Sequence, residues 1–107
     1  MVDLKGKTAL ITGASRGIGK AVALTFAKHG AAIAFTYLHA ADKAAQVEAE
    51  IAALGVKVKS YASDAASYAG AEALIQQVVA DFGTIDILVN NAGITRDGLV
   101  LRMSEQQ

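Results

Sequence analysis

The chain has 107 residues, enough for one small domain with a genuine core or for a portion of a larger one. Ten basic residues balance ten acidic ones, so the surplus of positive charge that nucleic acid or an anionic membrane demands of a partner is absent. Cysteine is absent, which excludes disulfides, thiol catalysis and thiolate metal sites, and histidine occurs only as His29 and His39, which argues against a zinc centre.

Hydrophobic residues make up 53% of the sequence, too many for a disordered chain. Twenty-three alanines, ten glycines and no proline suit helices packed closely over a sheet. The apolar run Thr8-Ala9-Leu10-Ile11 behind Lys5 and Lys7 is too short for a secretory leader. No stretch approaches the ~18–20 apolar residues of a membrane span. A cytoplasmic protein is therefore expected.

The elements alternate. Lys7-Thr8-Ala9-Leu10-Ile11-Thr12-Gly13 reads as a strand buried on both faces. A helix follows, with Ile18, Val22 and Phe26 on one face and Gly30 as its stop. Residues 31–38 form a second strand in which Ile33, Phe35 and Tyr37 alternate. The spacing predicts a second helix over about 40–54, with Val47, Ile51 and Leu54 on one face and Gly55 as its stop. Val56-Lys57-Val58-Lys59-Ser60-Tyr61-Ala62 alternates apolar and charged residues, as a strand near a sheet edge does. Ser67 reads as the N-cap of a third helix, expected to be lined by Leu74, Val78 and Phe82 and closed by Gly83. Residues 85–90 are the fourth strand. Strands alternating with helices predict a Rossmann-type doubly wound α/β fold, with a parallel sheet in the order 3-2-1-4 and helices on both faces. At the far end, Ser104-Glu105-Gln106-Gln107 reads as a capping box that opens a helix. No helix follows it, so a truncated chain is expected, with a frayed natural C-terminus as the plainer alternative.

The chemistry gathers at Thr12-Gly13-Ala14-Ser15-Arg16-Gly17-Ile18-Gly19, where the first strand meets the first helix. Helix N-termini carry unpaired N–H groups and about half a positive charge, so they attract phosphate. Gly13 would make the turn, Gly17 would let a pyrophosphate approach, and Gly19 would let the helix pack on the strand. A Walker loop fails here, because Gly13 and Gly19 enclose five residues and Lys20 is followed by Ala21. A G-x-G-x-x-G/A fingerprint from Gly17 and Gly19 ends on Val22 and also fails. The spacing that fits is Gly-x-x-x-Gly-x-Gly. A glycine-rich turn without a ligand is the competing reading.

With Asp64 after the third strand and Asn90-Asn91-Ala92-Gly93 after the fourth, this sequence resembles the short-chain dehydrogenase/reductase family over nearly its whole length. Within the family the wording of residues 13–19 and 90–97 is most similar to the N-terminal half of 3-oxoacyl-acyl-carrier-protein reductases. The resemblance implies that residues 1–107 are the dinucleotide-binding half of an oxidoreductase that reduces a carbonyl with hydride from NADPH. The substrate class it implies is a 3-oxoacyl thioester on acyl carrier protein, in fatty-acid synthesis, handled by a homotetramer in the complete enzyme. The glycine turn, including Ser15 and Ile18, would hold the pyrophosphate. Asp64 would accept from the adenine amino group with Ala65 beside it, although a cap or loop acid reads the same way. Asn90, Ala92 and Gly93 would line the ribose and nicotinamide side, with Asn90 also tying the sheet to neighbouring backbone. Ile94 would extend that wall or belong to the core. Asn91 is equally explained by turn chemistry.

Cofactor choice is argued from the residues themselves. A carboxylate ending the second strand would bind a ribose 2′-hydroxyl and repel a 2′-phosphate. That region reads Phe35-Thr36-Tyr37-Leu38-His39, with no acid before Asp42. Arg16 can meet a phosphate with a planar fork of donors, and Thr36, Tyr37 and His39 can add contacts. NADP is therefore expected over NAD. Arg16 as a solvated loop cation and His39 as a surface residue are the plainer alternatives. The family's catalytic Ser and Tyr-x-x-x-Lys find no match: Tyr37, Tyr61 and Tyr68 are followed four residues later by Ala41, Ala65 and Glu72. No catalytic residue is assigned, and the piece alone is expected to be inactive. Without further strands, residues 85–90 would be an open apolar edge, so the piece is expected to be poorly soluble, to self-associate, or to be stable only with its missing half. A non-catalytic nucleotide-binding or interaction module is the alternative.

Overall fold

The computed structural model describes residues 3–14, 17–63 and 68–91. Strand β1 (Thr8–Ile11) leads into helix α1 (Gly17–Lys28), then β2 (Ala32–Tyr37), α2 (Ala41–Ala52), β3 (Val58–Ala62), α3 (Tyr68–Phe82) and β4 (Ile87–Val89). The four strands form one parallel sheet in the order β3-β2-β1-β4, the doubly wound arrangement expected from the alternation of elements. Its register pairs Ile11 with Phe35 and Val89, which brings the carboxyl ends of β1, β2 and β4 to one edge of the sheet.

The period of two along each strand divides the core into two layers. Ala9, Ile11, Ile33, Phe35 and Val89 face one side and pack with Ala23 and Ala27 of α1 and Ala44, Val47 and Ile51 of α2. Leu10, Ala34 and Tyr61 face the other side and pack with Leu74 and Val78 of α3. Phe82, Ile85 and Leu88 close that second layer from partly buried positions. Burial on both faces explains why β1 and β2 are continuous apolar runs.

The first helix does not use the face its apolar spacing predicts. Gly19, Ala23 and Ala27 are the buried set, while Ile18 is 75% exposed and Val22 and Phe26 are half-buried at the flank. Both sets repeat every four residues and lie one position apart. The small set wins because α1 lies close against the sheet, where only glycine and alanine fit between the two backbones. Leu54 differs too: it falls beyond the end of α2 and is 41% exposed. The outer strands are shorter than their apolar runs. At the start of β4 the Asp86 carboxylate accepts from Thr8 N (2.8 Å) and Asp86 N donates to Thr8 O (2.8 Å), so a side chain takes over one rung of the ladder. Helix α2 has Ala40 at its N-cap with no side-chain bond. Ser67 and the Ser104–Gln107 segment lie outside the described residues.

Edge strand β3 has one of its backbone donors capped by a side chain. Glu48 of α2 accepts hydrogen bonds from the backbone N–H (2.8 Å) and the hydroxyl of Ser60, which removes a donor that another chain could pair with. On the α3 side, the Tyr61 hydroxyl donates to Asp81 (2.7 Å), Lys59 reaches the same carboxylate (3.1 Å), and Lys57 donates to the Asp81 backbone carbonyl. Burial and the bond to Asp81 push the Tyr61 pKa well above the tyrosine range. The hydrogen bonds from Tyr61 and then Lys59 hold the Asp81 carboxyl below its usual value. The signs are opposite. The Tyr61 contribution is present below the unfolded tyrosine pKa of about 10 and is lost as pH rises above it. The Asp81 contribution is present above about pH 4 and is lost as pH falls through the lowered value. Urea midpoints measured from neutral to alkaline pH are therefore expected to fall beyond about pH 10, and Tyr61→Phe to flatten that fall. An alkaline limb unchanged in Tyr61→Phe would contradict this reading.

Candidate functional site

At the carboxyl edge of the sheet the chain leaves β1 through Thr12, which is buried, and turns at Gly13 with φ +70°. Only glycine takes that left-handed geometry without cost. The turn is tied from both neighbouring strands. Gly13 N donates to Thr36 Oγ1 (2.9 Å) and Ala14 N to Thr36 O (3.0 Å), both at the end of β2. From the β4 side, Asn91 Nδ2 donates to Gly13 O (3.1 Å) and Asn91 N to Thr12 Oγ1 (2.8 Å). Thr12 N completes the tie by donating to Val89 O (3.0 Å).

Helix α1 then opens at Gly17, again with positive φ (+66°) and with open space where a Cβ would stand. Gly19 is the reverse case. A Cβ there would collide with Gly13 O and come within 2.9 Å of Asn91 Nδ2 and 3.0 Å of Ala14 Cα. The first turn of α1 contains no acidic residue. No carboxylate of its own first turn offsets the positive dipole at the N-terminus of α1. Lys20 pairs instead with Glu50 of α2 at 3.3 Å.

Of the residues expected at the site, Gly13, Gly17, Ile18 and Gly19 lie on this turn, Tyr37 is the half-buried last residue of β2, and Asn90 follows β4. Asn90 Oδ1 lies 3.3 Å from Thr12 Oγ1, and with Leu10, Leu74, Ile75 and Leu88 it lines a hollow between the sheet and α3. Ile18 projects into solvent. Ser15, Arg16, Asp64, Ala65, Ala92, Gly93 and Ile94 lie outside the described residues.

Two roles differ from the expectation. Thr36, read as an extra contact for a 2′-phosphate, is only 1% exposed and has its hydroxyl on the Gly13 amide. Asn91, explicable as a turn former, is a cross-tie that closes the glycine turn against β4. The single threonine in the otherwise apolar and aromatic run Ala34-Phe35-Thr36-Tyr37 was the available signal for the first. The second had none, because Asn is equally at home in any turn. Among the described residues no group of His, Asp and Glu is placed to hold a metal ion, and no helix is long and apolar enough to cross a membrane.

The crevice lies outside the carboxyl ends of the strands, between β1 and β4, where the strand order reverses direction. In open α/β sheets this switch point is where ligands bind. Comparison with known proteins agrees with the architecture. The short chain dehydrogenase family profile matches residues 7–107. The chain is 48% identical over 101 residues to the 3-oxoacyl-[acyl-carrier-protein] reductase FabG of Staphylococcus aureus strain Mu50, covering 94% of this chain and 41% of that protein. Against the enzyme of the same name from Escherichia coli K12 it is 42% identical over 106 residues, covering 99% and 42%. A crystal structure of a short chain dehydrogenase from Burkholderia cenocepacia in complex with NADP superposes with TM-score 0.82 at 46% identity, covering 87% of this chain and 38% of that one. The chain thus spans about two-fifths of the length of the curated relatives it matches. With the family profile running from before β1 to the last residue, over a sheet of the expected order, this chain belongs to the short chain dehydrogenase family.

Proposed function

We propose that this chain is the nucleotide-binding half of an NADPH-dependent carbonyl reductase acting on 3-oxoacyl thioesters of acyl carrier protein, in cytoplasmic fatty-acid synthesis. The observation that carries the proposal is the turn from Gly13 to Gly19: two positive-φ glycines and a helix N-terminus free of acids, at the switch point of a parallel sheet. The residues fit a dinucleotide. Gly17 leaves open space where a side chain would block a diphosphate, and the amides that open α1 supply donors for it. The 42–48% identity to 3-oxoacyl-[acyl-carrier-protein] reductases supports the substrate class.

In this reading Gly13, Ser15, Gly17, Ile18 and Gly19 hold the diphosphate. Arg16 meets the 2′-phosphate, with Tyr37 at the end of β2 beside it. Asp64 and Ala65 take the adenine, and Asn90, Ala92, Gly93 and Ile94 take the ribose and nicotinamide side. The bound cofactor supplies the hydride. What this half contributes is binding and orientation, and no residue in it is assigned to proton transfer. The complete enzyme works as a homo-oligomer.

Arg16 separates NADP from NAD. Fluorescence titration of Arg16→Ala should show NADPH affinity down by about ten- to a hundredfold, the worth of a charge-assisted hydrogen bond, with NADH affinity nearly unchanged. Equal losses for both nucleotides would remove Arg16 from the 2′-phosphate.

A further inference from the structure

Two successive amides of the glycine turn end on a single residue. Gly13 N donates to the hydroxyl of Thr36 (2.9 Å) and Ala14 N to its carbonyl (3.0 Å). The intervening Gly13 carbonyl is held from the opposite side by Asn91 Nδ2 (3.1 Å). The peptide between Gly13 and Ala14 is therefore fixed at both its oxygen and its nitrogen, and the amide before it is fixed as well. All these groups point into the fold, which leaves the later amides, at the opening of α1, to face a ligand. Thr36 is 1% exposed, so no water competes for its hydroxyl and no ligand can reach it.

From this geometry we infer that Thr36 is a positioning residue for the diphosphate: through the Gly13 amide it sets the height and tilt of the turn against the start of α1. The inference rests on the nucleotide-binding reading above. Valine at this position keeps the shape and removes the acceptor, leaving a buried N–H that the turn can satisfy only by shifting. Serine keeps the acceptor. The shift acts on the diphosphate, which NADPH and NADH share, and leaves the 2′-phosphate preference alone. Thr36 thus differs from Arg16 in a measurable way.

The experiment is fluorescence titration of wild type, Thr36→Val and Thr36→Ser with NADPH and NADH, on protein shown to be folded by circular dichroism. Thr36→Val should weaken both nucleotides by about tenfold, the cost of one unsatisfied buried donor, with their affinity ratio unchanged. Thr36→Ser should stay within about twofold of wild type. Folded Thr36→Val with wild-type affinity overturns the inference, as does Thr36→Ser losing as much as valine. Wild type that binds neither nucleotide overturns the underlying reading instead. Amide hydrogen exchange on wild type keeps the test open should Thr36→Val fail to fold. The Gly13 amide should be as protected as that of Thr12, and rapid exchange at Gly13 alone would overturn the inference.

Discussion

Replacing Gly19 by alanine is expected to weaken NADPH binding by at least about thirtyfold and to destabilise the chain by about 2–3 kcal/mol. The added methyl has no room. It would overlap Gly13 O and press on Asn91 Nδ2 and Ala14 Cα. Two of these three atoms are backbone, and the Gly13 oxygen is already tied to Asn91. Relief therefore requires α1 to move off the sheet or the turn to open, and either displaces the amides that would face the diphosphate. Gly17→Ala provides the contrast. No atom lies within 4 Å of its Cβ position, but φ is +66°, so the cost is conformational, about 1–2 kcal/mol, with no steric pressure on the turn. Urea unfolding and nucleotide titration on both variants separate the two reasons for glycine. Gly19→Ala matching wild type in both measurements would show that the turn is looser than its hydrogen bonds indicate.

Phe35→Ala is expected to cost about 3–5 kcal/mol, the range for emptying an aromatic site in a core. Phe35 is fully buried on the central strand β2, paired with Ile11 on one side and Ser60 on the other, inside the layer formed with α1 and α2. Domains of this size hold roughly 5–15 kcal/mol in all, so one substitution removes a large share of the stability. Phe26 and Phe82 are only half-buried, and alanine at either should cost less than half as much. Chemical denaturation followed by circular dichroism ranks the three. A ranking with Phe26 or Phe82 above Phe35 would contradict the placement of the core.

The strand order was legible because each helix stops at a glycine that takes positive φ: Gly30 at +101°, Gly55 at +89° and Gly83 at +90°. Those stops fixed the number of crossover units, the short apolar run of β1 reads as buried on both faces, and the charged alternation of β3 marks it as an edge. The buried face of α1 was not legible. Hydrophobic periodicity weights Ile18 and Phe26 heavily and Gly19, Ala23 and Ala27 hardly at all, yet close approach to the sheet selects the small set. The glycine turn could be placed from spacing alone, since φ and room for a ligand depend on the missing Cβ. Its bracing could not be, since Thr36 and Asn91 lie 23 and 78 residues from Gly13 and meet it only after the sheet forms. Asp86 is a similar case: the run 85–90 reads as a strand straight through it, whereas β4 starts at Ile87 and the Asp86 carboxylate substitutes for a rung of the ladder to β1.

The most direct test of the central claim is calorimetric titration of the chain with NADPH and, separately, NADH. The geometry of the Gly13–Gly19 turn and the lack of an acid at the end of β2 predict saturable one-to-one binding of NADPH, with NADH binding more weakly at the same site. Absence of heat and of saturation with both nucleotides, from protein shown to be folded, would contradict the assignment of this crevice to a dinucleotide.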